Sequence, residues 1–244
     1  MTALSDVPIN SYCWLLGAVA LFVLGSKSLI GYRKSRGQLA KYMTWFGFVF
    51  VISLLAFSVP SFFTLDINIL HKTYSVGEFF FFGGMVTQAA ILWCLVLRPY
   101  MSVYIVTLSV AVMGLITWLY DVTHTRLSLS HGFVTYLDPR VSTWVIILMM
   151  IGLFVPVGVY FIRAASHQLG TKATVTSFVL GTMYAGFGLS AASQELINGQ
   201  IISPLSAIVN LIISGMLLVA LVLPWQLSVK LPAPVRGVVT PHAT

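Results

Sequence analysis

Charged residues are scarce in this sequence. Lys and Arg number 13 and Asp and Glu number 6, together 8% of 244 residues, whereas 58% are hydrophobic. Soluble domains usually carry about 25% charged residues, so this shortage indicates a chain whose solvent is lipid. The few basic residues lie mainly in short loops beside helix ends, where they can meet anionic lipid headgroups. We therefore expect the lipid bilayer and its inner headgroups as partners, and no nucleic acid.

Motifs for catalysis and for cofactors are also missing. The sequence has no G-x-S-x-G and no H-E-x-x-H, and all five His fall in predicted loops or in the tail. Haem held by histidines between helices is thereby excluded, and a last span without a central Lys excludes retinal. We expect no acid pair at mid-membrane, so acid–base catalysis lacks titratable groups within reach of one another at the helix centres. The prediction is a protein that is not an enzyme and has no cofactor.

Metal and disulfide chemistry have little support. Asp121, His124 and His131 share one loop, but their spacing matches no zinc pattern, so we predict no metal site. The two cysteines, Cys13 and Cys94, fall at opposite ends of their predicted spans. A disulfide needs Cα atoms within about 7 Å, so we expect both thiols to be free.

Long apolar stretches, in contrast, are abundant. An apolar layer of roughly 30 Å needs about 20 helical residues. Seven stretches of that length recur, and they predict an all-α integral membrane bundle in one domain, residues 1–228, with a short cytoplasmic tail, 229–244. The N-terminal segment lacks the positive region of a cleavable signal, so the first helix is expected to persist. The predicted spans are approximately 11–32, 42–63, 76–97, 100–120, 140–164, 172–195 and 203–225.

The basic residues predict the orientation, because cytoplasmic loops carry an excess of Lys and Arg. With the N-terminus outside, ten basic residues lie inside and three outside, which predicts a multi-pass protein of the cell (cytoplasmic) membrane with its C-terminus in the cytoplasm. The inner set is Lys27, Arg33, Lys34, Arg36, Lys41, Arg98, Arg163, Lys172, Lys230 and Arg236. The outer set is Lys72, Arg126 and Arg140. All acids fall outside as well: Asp6, Asp66, Glu78, Asp121, Asp138 and Glu195.

Two local patterns predict packing. The outer loop between the fourth and fifth spans reads RLSLSHGFVTYL, residues 126–137, which predicts a small β-hairpin that covers the helix ends. Asp138 and Pro139 then predict an N-cap and a first helical position. In the sixth span, small residues at Gly181 and Ala185 and again at Gly188 and Ala192 allow close approach of a neighbouring helix. Alternatively, these small residues line a ligand cavity.

Four charged residues are predicted to mark the outer boundary: Glu78, Glu195, Lys72 and Arg140. Glu78 stands before four phenylalanines in VGEFFFFGG, residues 76–84. A third helix that begins near Val76 places Glu78 in its first turn, where the helix dipole favours a negative charge. We expect its carboxylate to touch water, Lys72 or Arg140.

Uncharged polar residues form the candidate ligand site within the spans. They serve either as hydrogen-bonding contacts between helices, worth about 0.6 kcal/mol each on average, or as a pocket for a small or lipid-like ligand. The candidates are Thr87, Gln88, Tyr184, Ser206, Asn210 and Ser214.

The chain resembles the seven-helix sensor regions of bacterial membrane signalling proteins, which precede histidine kinase or cyclase domains. Three segments carry the resemblance: YRKSRGQLAKYMTWFGF, VGEFFFFGG and FIRAASHQLGTKATVTSFVLG. It implies a non-enzymatic receptor or sensor-like module. Because no signalling domain follows the seventh span, we expect output through a separate membrane protein partner. Two alternatives stay open: a small transporter or permease component, and a structural subunit of a larger membrane complex.

Overall fold

The computed structural model describes residues 7–130, 133–167 and 171–196, together with Ile212 and Gly215. The predicted seventh span and the tail lie outside the described residues, apart from those two positions. The helices are α1 (Ile9–Ser35), α2 (Gln38–Ser58), α3 (Ile67–Leu92), α4 (Val103–His124), α5 (Arg140–Ser166) and α6 (Thr171–Leu196). The strands are β1 (Arg126–Ser130) and β2 (Phe133–Leu137). A 3-10 turn, Val59–Phe62, follows α2, and a π-helical turn, Trp93–Leu97, follows α3.

The described part is an all-α membrane bundle. Six of its helices are long and apolar enough to cross a membrane, which confirms a multi-pass membrane protein. Neighbours in sequence pack together from α1 to α4, α5 packs on α6, and α3 also contacts α5. The helix α3 therefore joins the first group to the second.

The third helix begins much earlier than the sequence predicted. The Asp66 side chain accepts a hydrogen bond from the Asn68 backbone N–H (2.8 Å) and caps α3, so the helix starts at Ile67 and not near Val76. A hydropathy window finds only the apolar part of a helix, and here the polar turns 67–75 precede that part. Glu78 consequently lies three turns inside α3, and its placement in the first turn is wrong.

The strands β1 and β2 pair antiparallel, with Arg126 opposite Leu137 and Ser130 opposite Phe133. The start of α1 holds β2 in place, because the Asn10 Nδ2 donates to the Val134 carbonyl (2.6 Å) and its Oδ1 accepts from the Val134 N–H (3.3 Å). Both residues are buried. The strands are therefore packed on the helix ends and not suspended in solvent.

Aromatic side chains and glycines together build the interior. Phe50 and Phe154 are fully buried and lie edge to face, with ring centroids 6.3 Å apart. Where α5 meets α6, a Cβ on Gly158 would lie 2.7 Å from the Gly181 carbonyl oxygen and 2.6 Å from the Ala185 backbone nitrogen. The predicted close approach at the small residues of the sixth span is thus confirmed.

Candidate functional site

Polar and acidic side chains gather at the end of the bundle that carries the strands. Three elements each supply two of them, four residues apart, which is close to one helical turn. The first pair lies on α3, the second at the end of α4, and the third where β2 leads into α5. We name the set the hairpin-end cluster: Tyr74, Glu78, Asp121, Thr125, Asp138 and Ser142.

Asp138 links the three elements through its carboxylate. Thr125 Oγ1 donates a hydrogen bond to Asp138 Oδ1 (2.6 Å), and the Tyr74 hydroxyl donates to Oδ2 (3.1 Å). The sequence predicted Asp138 as the N-cap of the fifth helix, but that position is Pro139 and no side chain caps α5. The correction has a physical reason: the carboxylate of Asp138 is already used by donors from α3 and from the end of α4.

Glu78 and Asp121 face each other across the interface of α3 and α4. The Glu78 carboxyl and the Ser142 hydroxyl are the side chains that lie next to the Asp121 carboxyl. Only 3% of Glu78 and none of Asp121 is exposed. Two carboxylates have acceptors only, so a hydrogen bond between them needs one shared proton. The pair is therefore a place within the helices where a proton can be held.

Further hydrogen bonds fix the frame around these acids. The Trp118 Nε1 of α4 donates to the Ser75 carbonyl of α3 (2.8 Å), and the His71 Nε2 lies 3.1 Å from the Thr125 carbonyl oxygen. On the α1 side, the Ser61 and Ser11 hydroxyls are joined at 2.7 Å. The acids are thus held between helices whose relative positions are set by direct contacts.

Burial and a neighbouring acid raise the pKa of Asp138. Loss of solvent is the main cause, the nearby Asp121 adds to it, and the hydrogen bonds from Thr125 and Tyr74 act in the opposite direction; the pKa reaches about 6 from an ordinary value of 3.8. Asp138 can therefore gain or lose its proton close to neutral pH. Across the part of the chain that the structure describes, no three His, Cys, Asp or Glu side chains are arranged to hold a metal ion.

The Glu78 carboxylate does not touch water as expected, because a side chain that is 3% exposed is surrounded by protein. The two basic residues proposed as its partners, Lys72 and Arg140, are exposed, and the structure places Asp121 beside Glu78 in their stead. The Glu195 side chain lies outside the described residues. Glu78 and Asp121 nevertheless form an acid pair on α3 and α4, at the end of the bundle that carries the strands.

The uncharged candidate residues are spread through the bundle. Gln88 is fully buried, and its Nε2 donates to the Leu153 carbonyl of α5 (3.1 Å). Thr87 bonds within its own helix, to the Gly84 carbonyl (2.7 Å). Tyr184 is buried against aromatic rings, with the centroid of Phe161 5.9 Å away. The other three candidates lie outside the described residues: Ser206, Asn210 and Ser214.

These contacts favour hydrogen bonding between helices as the role of Gln88. Among the described residues its Oε1 has no hydrogen-bond partner, so within this part of the chain the side chain contributes one bond. We expect Gln88→Met, which keeps the volume, to change the free energy of unfolding by less than about 1 kcal/mol. Reversible unfolding in mixed micelles measures this. A loss above about 3 kcal/mol would show that Gln88 has a further bound partner in the folded protein.

Sequence reasoning missed the hairpin-end cluster although a signal for it was present. In the sequence, Tyr74 and Glu78, Asp121 and Thr125, and Asp138 and Ser142 are each four apart, and all lie near the same predicted membrane face. Such pairs indicate polar faces at a common depth in neighbouring helices. The pattern does not say which faces meet, and the structure supplies that information.

The search for relatives leaves the chain without a family assignment: no protein-family model matches the sequence, and no curated protein matches it either.

Proposed function

We propose that the protein is a non-enzymatic membrane sensor or receptor-like module whose input site is the hairpin-end cluster and whose output passes to a separate membrane partner. The observation that carries the proposal is the position of Asp138 between the strands and α5. Asp138 accepts hydrogen bonds from Tyr74 of α3 and from Thr125 at the end of α4, and the carboxyl of Asp121 lies nearby. A change of charge at this residue acts on several elements at once. The resemblance to seven-helix sensor regions supports the same function.

The predicted orientation fits this proposal. Exposed basic residues at the hairpin end are few, namely Lys72, Arg126 and Arg140. The opposite end of the described bundle carries more of them: Arg33, Lys34, Arg36, Lys41, Arg98 and Arg163. We infer that the hairpin end faces outside, that a seventh span at 203–225 completes the bundle, and that the basic end faces the cytoplasm. Input and output would then lie on opposite sides of the cell membrane.

Rigid helices provide the route between the two ends. α5 has 27 residues, about 40 Å at 1.5 Å per residue. Its first turn contacts the cluster through Ser142, and its last turn reaches the basic end. Shifts of packed helices by about 1–2 Å are a known form of signal in membrane and soluble proteins alike.

A distance measurement tests the sensor function. In a Cys13→Ser, Cys94→Ser background, spin labels at Tyr100→Cys, in the turn that follows α3, and at Ser166→Cys, at the end of α5, report the spacing of these two points in lipid nanodiscs. We expect Asp121→Asn to shift the mean label distance by about 2 Å or more, because the cluster loses one acid between three helices. A distribution identical to the parent would contradict coupling between the two ends.

A matched control is available at the same end. Asp66 is exposed and caps α3, and Asn is an equally good N-cap residue. Asp66→Asn therefore removes one acid from the hairpin end without touching the cluster, and the label distances should stay as in the parent.

A small ion-coupled carrier is the second candidate, and the Glu78–Asp121 pair favours it. Buried carboxyls on spanning helices often mark proton or ion pathways. Reconstituted protein in liposomes with an internal pH dye distinguishes the two functions. Proton flux that Glu78→Gln abolishes would favour the carrier. A distance shift on Asp121→Asn without flux would favour the sensor.

A further inference from the structure

Asp138 and Pro139 connect β2 to α5 along the chain, so the charge of Asp138 bears directly on how the strands are held. It follows β2 at once, and Pro139 and Arg140 begin the helix. Its two hydrogen-bond donors come from α3 and from the residue after α4. The strands are held a second time at the α1 side, by Asn10. Any change in the bonding of Asp138 is therefore a change in how the strands are attached to the helices.

Titratable and charged groups of both signs reach the surroundings of Asp138 from every element packed against it. α3 presents Tyr74 to it directly, with Glu78 one turn further and His71 against the neighbouring Thr125. α4 presents Asp121, beside which lies His124. From the strands and α5, the basic side chains are the exposed Arg126 and Arg140. Among the described residues, the groups that act on Asp138 are the hydroxyls of Thr125 and Tyr74, which donate hydrogen bonds, and the carboxyl of Asp121.

We propose that the hairpin-end cluster is a proton-operated latch, in which protonation of Asp138 favours the packed position of the strands on α3 and α4 and its ionisation weakens that position. This inference rests on the proposed sensor function and names its input as the proton. When Asp138 is neutral, the repulsion from Asp121 disappears, and one carboxyl oxygen still accepts from Thr125. When Asp138 is ionised, its half-buried charge faces a second acid, Asp121.

The direction of the pH effect follows from linkage. The packed state raises the pKa of Asp138 from 3.8 to about 6, so the packed state binds the proton more strongly than an opened state with an ordinary pKa. Packing is therefore favoured below the ordinary pKa and is weakened as pH rises through about 6. Between pH 5 and 7.5 this predicts an increase of about tenfold in the opening equilibrium of the strands.

Hydrogen–deuterium exchange of the full chain in nanodiscs tests the latch. The peptides of interest cover residues 126–137, and rates are corrected for the intrinsic pH dependence of exchange. We expect the wild-type strands to be about tenfold more protected at pH 5 than at pH 7.5. Asp138→Asn, which resembles the protonated carboxyl, should keep the high protection at both pH values. Asp66→Asn should retain the wild-type difference.

Two results would overturn the latch: equal protection of the wild type at both pH values, or a pH difference that survives Asp138→Asn. If Asp138→Asn unfolds the chain, the difference in protection between pH 5 and pH 7.5, measured for the wild type and for Asp66→Asn, still tests the latch. The label distances described above test the sensor function independently, because they compare the ends of α3 and α5 at one pH. If hydrogen exchange shows the latch but the label distances do not change, only the sensor function is contradicted. If the label distances change but hydrogen exchange shows no latch, the proton is not the input.

Discussion

Phe50→Ala is expected to lower the free energy of unfolding by about 3–5 kcal/mol, the range for loss of a buried aromatic ring. Phe50 is fully buried in α2 and meets rings from three other helices, among them Phe81 and Phe154 at centroid distances of 5.6 and 6.3 Å. In lipid, the loss comes from missing contacts and from the cavity, since hydrocarbon tails solvate apolar side chains as well as protein does. Unfolding by denaturing detergent in mixed micelles measures it.

The chain offers a matched control and a rescue. Phe178 on α6 is 54% exposed, and Phe178→Ala should cost less than about 1 kcal/mol because no cavity forms. A Cβ on Gly84 would collide with the Phe50 ring, so Gly84→Ala alone should destabilise the protein. In the double variant, Phe50→Ala with Gly84→Ala, the added methyl enters the cavity left by the Phe50 ring. The loss of unfolding free energy in the double variant should therefore be smaller than the sum of the losses in the two single variants. Strict additivity would contradict direct packing of Phe50 on Gly84.

The apolar part of the fold could be predicted because it depends on composition and length. Lipid as solvent demands helices of about 20 apolar residues, and six of the seven predicted stretches are helices of the described bundle. The close approach of α5 and α6 could also be predicted at Gly181 and Gly188, since small residues four apart leave room only for another backbone. These features follow from single segments and need no knowledge of their neighbours.

The acidic site could not be predicted in the same way. The hydropathy pattern predicted that the third helix begins near Val76. It does not detect the polar turns before Val76, which are helical and are capped by Asp66. For this reason Glu78, which is buried, was expected at the surface. The partner Asp121 is 43 positions further along the chain, and its approach to Glu78 depends on how α3 and α4 rotate against each other. One sequence contains the polar faces but not their pairing.

The acids lie apart from the aromatic interior of the bundle. The interior around Phe50 and Phe154 is aromatic and apolar, whereas Asp121 and Asp138 lie at the end that carries the strands. The hydrogen bonds of Asp138 join α3 and the end of α4 to the start of α5. We expect a change of protonation in the hairpin-end cluster to act directly on the packing of these helices. This is the property a sensor needs, and a carrier would require a proton path beyond the cluster.

Gly158→Leu is expected to remove more than about 3 kcal/mol of stability or to abolish folded protein. A Cβ at Gly158 would lie 2.6 Å from the Ala185 backbone nitrogen and 2.7 Å from the Gly181 carbonyl oxygen, so the obstacle is backbone and cannot change rotamer. α5 and α6 must separate, and the Phe154 and Phe161 contacts to Tyr184 are lost with them. Overpacking by one methyl typically costs about 1–3 kcal/mol, which is the range expected for Gly158→Ala.

Gly152 supplies the comparison within the same helix. It is exposed, and a Cβ there would meet nothing within 4 Å. Gly152→Ala and Gly152→Leu should therefore be neutral or stabilising by up to about 1 kcal/mol, because Gly is the poorer helix former. Folded yield and detergent unfolding of the four variants test the prediction. Equal tolerance of Leu at Gly158 and Gly152 would mean that α5 and α6 do not meet at their glycines, and the output route through α5 would then lose its rigid support.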